Sequence, residues 1–411
     1  MFKTKVGIVG LGYVGLALVK TLCNHGHYVM GLDIDESKVL NLSHGISPNE
    51  SISNAELSTF ISSGAFQVTT DAKNLVELEV VIIAVPTPLD DKGFPDYEPL
   101  KKACELIARH LKRDVLLINE STSHPGTLRD LIAPRISGLR EDSASAIMFA
   151  CSPERVNPGD SKFDHSNTPR VVSGLNEQAK NAVRNFYSEF VGKVFLASEP
   201  EVAEMSKLLE NSFRLVNISF INEVSDYCVS RGIPVREVIT AASTKPFGFM
   251  PFFPGAGVGG HCIPVDPAYL LGDAAKHRLN LSILETSMSA NASRHQSIIH
   301  HLDQVLDGVA GKNILIEGVT YKPEVKDTRE TPAHGILEGL RKKEAIVCWH
   351  DPIITEWGGA LSTPVASKKW DAVLLLIRHK STDIDQILDN AKLVFDFTGT
   401  MTNGPAKVKP I

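Results

Sequence analysis

The sequence predicts an α/β protein built from two doubly wound parallel-sheet domains joined by a long central helix, and three patterns predict it. A β-branched strand, a glycine turn and a helical repeat follow one another at the N-terminus. The same alternation of strand and helix returns after residue 309. Between the two, an apolar repeat at steps of three and four runs unbroken from Pro200 to Arg231. At 411 residues the chain exceeds one ordinary core. The changes of pattern divide it at 1–199, 200–308 and 309–411.

Composition narrows the class. A formal net charge of −6 and a pI near 6.2 give no basic surface for nucleic acid or for an anionic membrane. Six cysteines, at 23, 104, 151, 228, 262 and 348, include no C-x-x-C pair, which argues against a metal centre and a disulfide framework and fits a reducing cytosol. Met1 runs directly into a strand without a signal-peptide pattern, and no apolar run reaches transmembrane length, so a cytoplasmic protein is expected.

In chain order, Lys5 to Val9 reads as a strand. It enters Gly10-Leu-Gly-Tyr-Val-Gly15, which opens a helix through Ala17, Leu18 and Leu22. The first glycine makes the turn, the second lets backbone approach a pyrophosphate, and the third lets helix and strand pack closely, as in a Rossmann-like fold. A second strand, Tyr28 to Leu32, ends in Asp33, where an acid accepts from a ribose diol and disfavours a 2′-phosphate. NAD is therefore expected over NADP. Strands at 79–85 and 114–119 close in Pro86-Thr-Pro88 and Ser121-Thr-Ser-His-Pro-Gly126, so Thr87 and Thr122 fall at carboxyl ends, where doubly wound sheets bind ligands. A strand at 147–152 delivers Glu154 to the same crevice, although a loop carboxylate is ordinarily solvated.

Over 200–231, Met205, Leu209, Phe213, Val216, Phe220, Val224 and Tyr227 form a core or subunit-contact stripe, and a homodimer is expected. Lys207 and Asn211, four apart, share a face beside it. Helices follow at 266–277 and 282–306. Strands at 313–319, 345–349, 371–377 and 393–397 then build a second nucleotide-type fold in which Gly318-Val-Thr-Tyr-Lys322 stands in place of the glycine fingerprint. The charged loop Asp327-Thr-Arg329 after it points to a phosphate-bearing ligand. Residues 403–411 read as a frayed tail.

The stretch Pro251 to Asp266 places Cys262 at the end of a glycine-rich loop, where Gly255, Gly257, Gly259 and Gly260 permit close approach to a ligand. A helix starting near Pro264 would favour a thiolate at Cys262. A buried cysteine in a tight turn fits the loop equally well.

Read together, seven segments make the chain resemble the nucleotide-sugar 6-dehydrogenases over nearly its whole length. They are Gly-Leu-Gly-Tyr-Val-Gly at 10–15, Pro-Thr-Pro at 86–88, Ser-Thr at 121–122, Ser-Pro-Glu at 152–154, Lys-Leu-Leu-Glu-Asn at 207–211, Gly-Gly-His-Cys-Ile-Pro-Val-Asp at 259–266 and Lys-Asp-Thr-Arg-Glu at 326–330. Lys-Pro-Phe-Gly-Phe-Met-Pro-Phe-Phe-Pro-Gly at 245–255 resembles the N-acetylhexosamine branch, with UDP-N-acetylglucosamine favoured over UDP-N-acetylmannosamine and UDP-glucose. The resemblance implies a four-electron oxidation of the sugar C6 alcohol to a carboxylate, in which Cys262 carries a thiohemiacetal and then a thioester. It gives Lys207 and Asn211 to the oxyanion, Asp266 to proton movement, Glu154 to hydrolysis and Thr122 to the water. For NAD it implies Gly10, Gly12, Tyr13, Val14, Gly15, Asp33, Lys38, Thr87, Thr122 and Arg329. For the UDP-sugar it implies Glu154, Lys207, Asn211, Phe253, Gly255, Gly257, Gly259, Tyr321 and Lys322. Supply of capsule or lipopolysaccharide precursors is the implied setting.

Two departures stand out. Pro158 replaces a second glutamate of the glucose-type enzymes, and Asp396-Phe-Thr-Gly399 lacks an arginine that many relatives carry after the last strand. Rival readings are a cysteine acyl-transferase using His261, a plain hydroxy-acid dehydrogenase stopping after one hydride, and a noncatalytic NAD-sensing module. The first leaves the glycine fingerprint idle, and the last needs no thiol.

Overall fold

A computed structural model describes residues 2–111, 114–140, 146–155, 165–401 and 407–410. It forms two compact units, Met1–Glu210 with Ala268–Arg278, and Asn211–Pro267 with Leu279–Ile411.

The first unit is an eight-stranded sheet of β1 (Lys5–Val9), β2 (Tyr28–Leu32), β3 (Phe66–Thr69), β4 (Val80–Ile83), β5 (Val115–Asn119), β6 (Ile147–Cys151), β7 (Arg170–Gly174) and β8 (Val194–Leu196). The strand order is β3-β2-β1-β4-β5-β6-β7-β8, parallel throughout except for the β6–β7 pair. Helices α1 (Tyr13–Asn24), α2 (Glu36–Ser43), α3 (Asn54–Ser62), α4 (Glu98–His110), α5 (Ala133–Leu139) and α6 (Glu177–Ser188) accompany it. Both faces of the sheet are covered, one by a core around Ile8, Leu18, Phe66 and Tyr187, the other by one around Val81, Ile83, Leu100 and Ile107. Burial on both faces is why Val80–Ile83 reads as an unbroken apolar run. The short strands β3, β7 and β8 carry too little periodicity to be predicted.

Helix α7 spans Pro200–Arg231, as its repeat predicts, and α8 (Val235–Ala242), α9 (Asp266–Lys276) and α10 (Ser282–Val305) follow. The predicted stripe on α7 is only partly covered, with Val224 packed against a buried cluster that includes Ile221 and Cys228. Leu209, Phe213, Phe220 and Tyr227 are 44–63% exposed, and the core is met instead by Ala203, Leu208, Leu215, Ile221 and Cys228. The helix is apolar on two faces, and periodicity alone does not say which one is covered.

The second unit holds β9 (Asn313–Glu317), β10 (Ile346–His350), a hairpin of β11 (Glu356–Trp357) and β12 (Ala360–Leu361), β13 (Trp370–Leu375), β14 (Ala391–Asp396) and β15 (Val408–Pro410), with α11 (Pro332–Lys342) and α12 (Ile384–Asn390). Its five-stranded parallel sheet has the order β10-β9-β13-β14-β15. Part of the tail expected to fray is therefore strand. Val408 is buried and pairs with Val394, so the apolar edge of β14 captures it. Residues 402–406 and 411 lie outside the described residues.

The two sheets repeat one turn. Gly10 N–H donates to the Leu32 carbonyl at 2.8 Å and Gly318 N–H to the His350 carbonyl at 2.9 Å. Leu11 N–H then donates to Asp33 Oδ2 at 2.9 Å, and Val319 N–H to Asp351 Oδ2 at 2.8 Å. Both glycines have positive φ, 100° and 83°, and a Cβ on either would strike a carbonyl at the end of the neighbouring strand, that of Ala84 or of Ile377. The second sheet thus keeps the first fingerprint glycine and dispenses with the other two.

Candidate functional site

The cofactor cradle of the first unit lies where the strand order reverses, between β1 and β4. Each fingerprint glycine has its own reason. A Cβ at Gly15 would land on the Gly10 carbonyl oxygen, whereas one at Gly12 would meet nothing within 4 Å. Gly12 is also the N-cap of α1 and supplies no side-chain cap, so the first amides of the helix are left to an anion. Such a cradle, open where a side chain would otherwise fill it, fits a dinucleotide pyrophosphate. Gly15→Ala should therefore lower stability by about 2–3 kcal/mol, whereas Gly12→Ala should melt like the wild type and lose NAD affinity; melting curves and NAD titration separate the two.

Around the cradle, Asp33 is buried and bonds Leu11 N–H, the Lys38 ammonium at 2.9 Å and Asp35 N–H at 3.1 Å. Lys38 thus sits on the acid expected from the sequence to accept from a ribose. Tyr13 donates its hydroxyl to Glu50 at 2.8 Å, and Val14 packs on the core. Thr87 follows β4, and Thr122 follows β5 beside Ser121, whose hydroxyl donates to the Val85 carbonyl at 2.8 Å and ties the two loops.

Glu154 is not solvated: it is 6% exposed. Its Oε2 accepts from Arg170 Nη2 at 2.8 Å and its Oε1 from Arg155 N–H at 2.7 Å. Arg170 also donates to Glu120 Oε2 at 3.0 Å and to His165 Nδ1 at 2.7 Å, while the Tyr187 hydroxyl donates to Glu120. One fully buried guanidinium thus holds two carboxylates. Burial pushes the Glu120 carboxyl up from the usual 4.5 to about 7, with Arg170 opposing. No sequence motif pointed to Glu120, Arg170 or Tyr187. Pro158 lies outside the described residues.

In the second unit, Cys262 is partly exposed. The helix expected near Pro264 begins two residues later, at Asp266. The Cys262 carbonyl accepts Asp266 N–H at 2.7 Å, and Pro267 then has no N–H to continue the ladder. The Asp266 carboxylate accepts from Asn211 Nδ2 at 2.6 Å, so these two predicted residues and the cysteine turn are joined. Four of the other cysteines are buried, and burial pushes the Cys23 and Cys104 thiols up to about 12.

The glycine loop is held by residues the sequence did not single out. Gly255 N–H donates to Asn222 at 2.9 Å and Val258 N–H to Asn291 at 2.8 Å, so these two amides are already used. Gly260, at φ 82°, lies against the Tyr321 ring, and a Cβ at Gly259 would strike the Glu330 carbonyl. The loop borders a cavity of about 330 Å³ at the switch point of the second sheet, lined by Gly255, Gly257, Tyr321, Thr331, Arg378 and Thr398 among others. Phe253 is half-exposed beside it, Lys322 follows Tyr321, and Arg329 pairs with Asp327 through two nitrogens at 3.0 and 2.6 Å. Lys207, Glu154, Thr87 and Thr122 belong to the first unit; Cys262, Asn211, Asp266, Tyr321, Lys322 and Arg329 belong to the second.

Three family models match in sequence order: the NAD binding domain of the UDP-glucose/GDP-mannose dehydrogenase family over 4–191, its central domain over 201–293 and its UDP binding domain over 315–403. The UDP-N-acetyl-D-glucosamine 6-dehydrogenase of Pseudomonas aeruginosa is 34% identical, covering 92% of this chain and 91% of that one. A UDP-N-acetyl-D-mannosamine dehydrogenase of Methanococcus aeolicus is 31% identical over 97% and 92%. The solved structure of a UDP-D-ManNAc dehydrogenase from Pyrococcus horikoshii superposes with a TM-score of 0.88 at 29% identity, covering 99% of each chain. With the glycine cradle in one sheet and the cysteine loop bordering the switch-point cavity of the other, these matches along almost all of its length make the chain a member of the UDP-glucose/GDP-mannose dehydrogenase family and an NAD-dependent UDP-sugar dehydrogenase.

Proposed function

We propose that the chain oxidises C6 of a UDP-N-acetylhexosamine, UDP-N-acetylglucosamine first, through the alcohol, aldehyde and acid levels. The observation that carries the reading is Cys262: a partly exposed thiol at the end of a glycine loop that borders the cavity of the UDP-binding sheet. Gly10, Gly12, Gly15 and Asp33 would hold NAD, which would supply an acceptor for one hydride at each of the two oxidations. Lys207 and Asn211 stabilise the oxygen that gains charge. The Cys262 thiolate adds to the aldehyde carbon, giving a thiohemiacetal whose oxygen takes a proton. Loss of the second hydride and that proton leaves a thioester, and water expels the thiolate to give the carboxylate. Asp266, joined to Asn211, moves protons, and Glu154 with Thr122 prepares the water.

The N-acetylglucosamine preference is supported by the 245–255 segment; identity alone does not separate the two, at 34% and 30% to glucosamine enzymes and 31–32% to mannosamine enzymes. A homodimer through the exposed Leu209, Phe220 and Tyr227 of α7, a cytoplasmic setting and a place in polysaccharide precursor supply complete the proposal. Among the described residues no helix is long and apolar enough to cross a membrane. Incubation with excess NAD and each of UDP-N-acetylglucosamine, UDP-N-acetylmannosamine and UDP-glucose should yield about two NADH per sugar and an acid product from the first. One NADH per sugar would instead favour a plain dehydrogenase.

A further inference from the structure

We propose that Arg236, carried by α8, binds the diphosphate of the UDP-sugar at the end of β14, in place of a residue on the strand itself. The proposal rests on the UDP-sugar reading of the second unit. Arg236 lies between the buried anchors Val235 and Ile239, and its guanidinium is stacked over the Phe253 ring at 5.6 Å. Nη2 makes two long bonds, to the Pro254 carbonyl at 3.4 Å and to the Phe397 carbonyl at 3.3 Å. Nε is buried with no acceptor. Among the described residues it makes no ion pair, although the buried Asp396 carboxylate attracts it at longer range. A half-buried cation with one idle donor and only stretched carbonyl partners is costly unless an anion completes it.

Its surroundings say where that anion would sit. Phe397 and Thr398 line the cavity, as does Arg378, an exposed cation likewise without an ion pair among the described residues. Gly399 has φ 63°, and the space its side chain would take is filled by the Arg236 guanidinium. The Thr398-Gly399 sequence is thus an exchange, in which small residues after the strand admit an arginine from a helix. A planar guanidinium suits a diphosphate through paired charge-assisted hydrogen bonds.

The test measures UDP and uridine binding to the full chain by calorimetry or competition. Arg236→Met should weaken UDP about 10- to 100-fold and leave uridine, NAD affinity and the melting temperature close to the wild type. Arg236→Lys should recover part of the loss, and Thr398→Arg on the Arg236→Met background should recover more. Equal weakening of UDP and uridine, or UDP binding unchanged in Arg236→Met, would overturn the assignment. If the wild-type chain itself bound no UDP, the UDP-sugar reading would fall with it, an outcome separate from the two above.

Discussion

Cys262→Ala is expected to lower acid production by at least about 10³-fold, because in the proposed route this thiol holds the aldehyde through the second oxidation. The loss is specific in kind. The glycine cradle belongs to the first unit and involves no atom of Cys262, so NAD affinity should stay within about twofold of the wild type. Cys262→Ser should be nearly as slow, since a hydroxyl is a far weaker nucleophile than a thiolate at neutral pH. Rapid-quench mass spectrometry of the wild type with substrate should trap an acyl adduct on Cys262. Acid formed by the alanine variant at the wild-type rate would rule out the thioester route.

Arg170→Met should destabilise the first unit by about 3–5 kcal/mol, because it leaves Glu120 and Glu154 buried without their shared cation. The same cluster gives a pH dependence. Between its usual 4.5 and about 7, Glu120 holds a proton in the folded chain that the unfolded chain has released. More protons are bound when folded, so this group's contribution to stability falls as pH rises through that window and is flat above about 7. Glu120→Gln removes the titration. Urea midpoints at pH 5, 6, 7 and 8 should therefore decline more steeply for the wild type than for the variant; parallel slopes would contradict a raised Glu120.

What the sequence made legible was local. The glycine turn, Tyr28–Leu32 with its terminal acid, and the 32-residue span of α7 each carry their signal within a few residues. Glu154 itself was visible as a strand-end carboxylate, but its setting was not. Arg170 lies 16 residues from Glu154 and 50 from Glu120, and only the sheet order brings them together. The apolar stripe of α7 was read correctly as a stripe and left open between two kinds of neighbour, because a helix with two apolar faces does not announce which is buried. The missing arginine after β14 was legible as an absence. Its counterpart on α8 was not, since an arginine beside a glutamate in a short helix looks like any solvated pair.

The first unit recruits Ala268–Arg278 after the chain has already laid down residues 211–267 of the second. Tyr269, in that late segment, is fully buried, meets Tyr97 edge to face with ring centroids 5.3 Å apart and donates its hydroxyl to the Pro88 carbonyl at 3.0 Å. A ribosome elongating at about 5–20 residues per second needs roughly 3–14 s to pass from residue 210 to residue 278. For that interval the nascent first unit lacks the tyrosine that packs beside Tyr97. No single proteolytic cut or truncation can release either unit whole, so a fragment ending at Glu210 should be less protected from protease around Pro88 and Tyr97 than the full chain is.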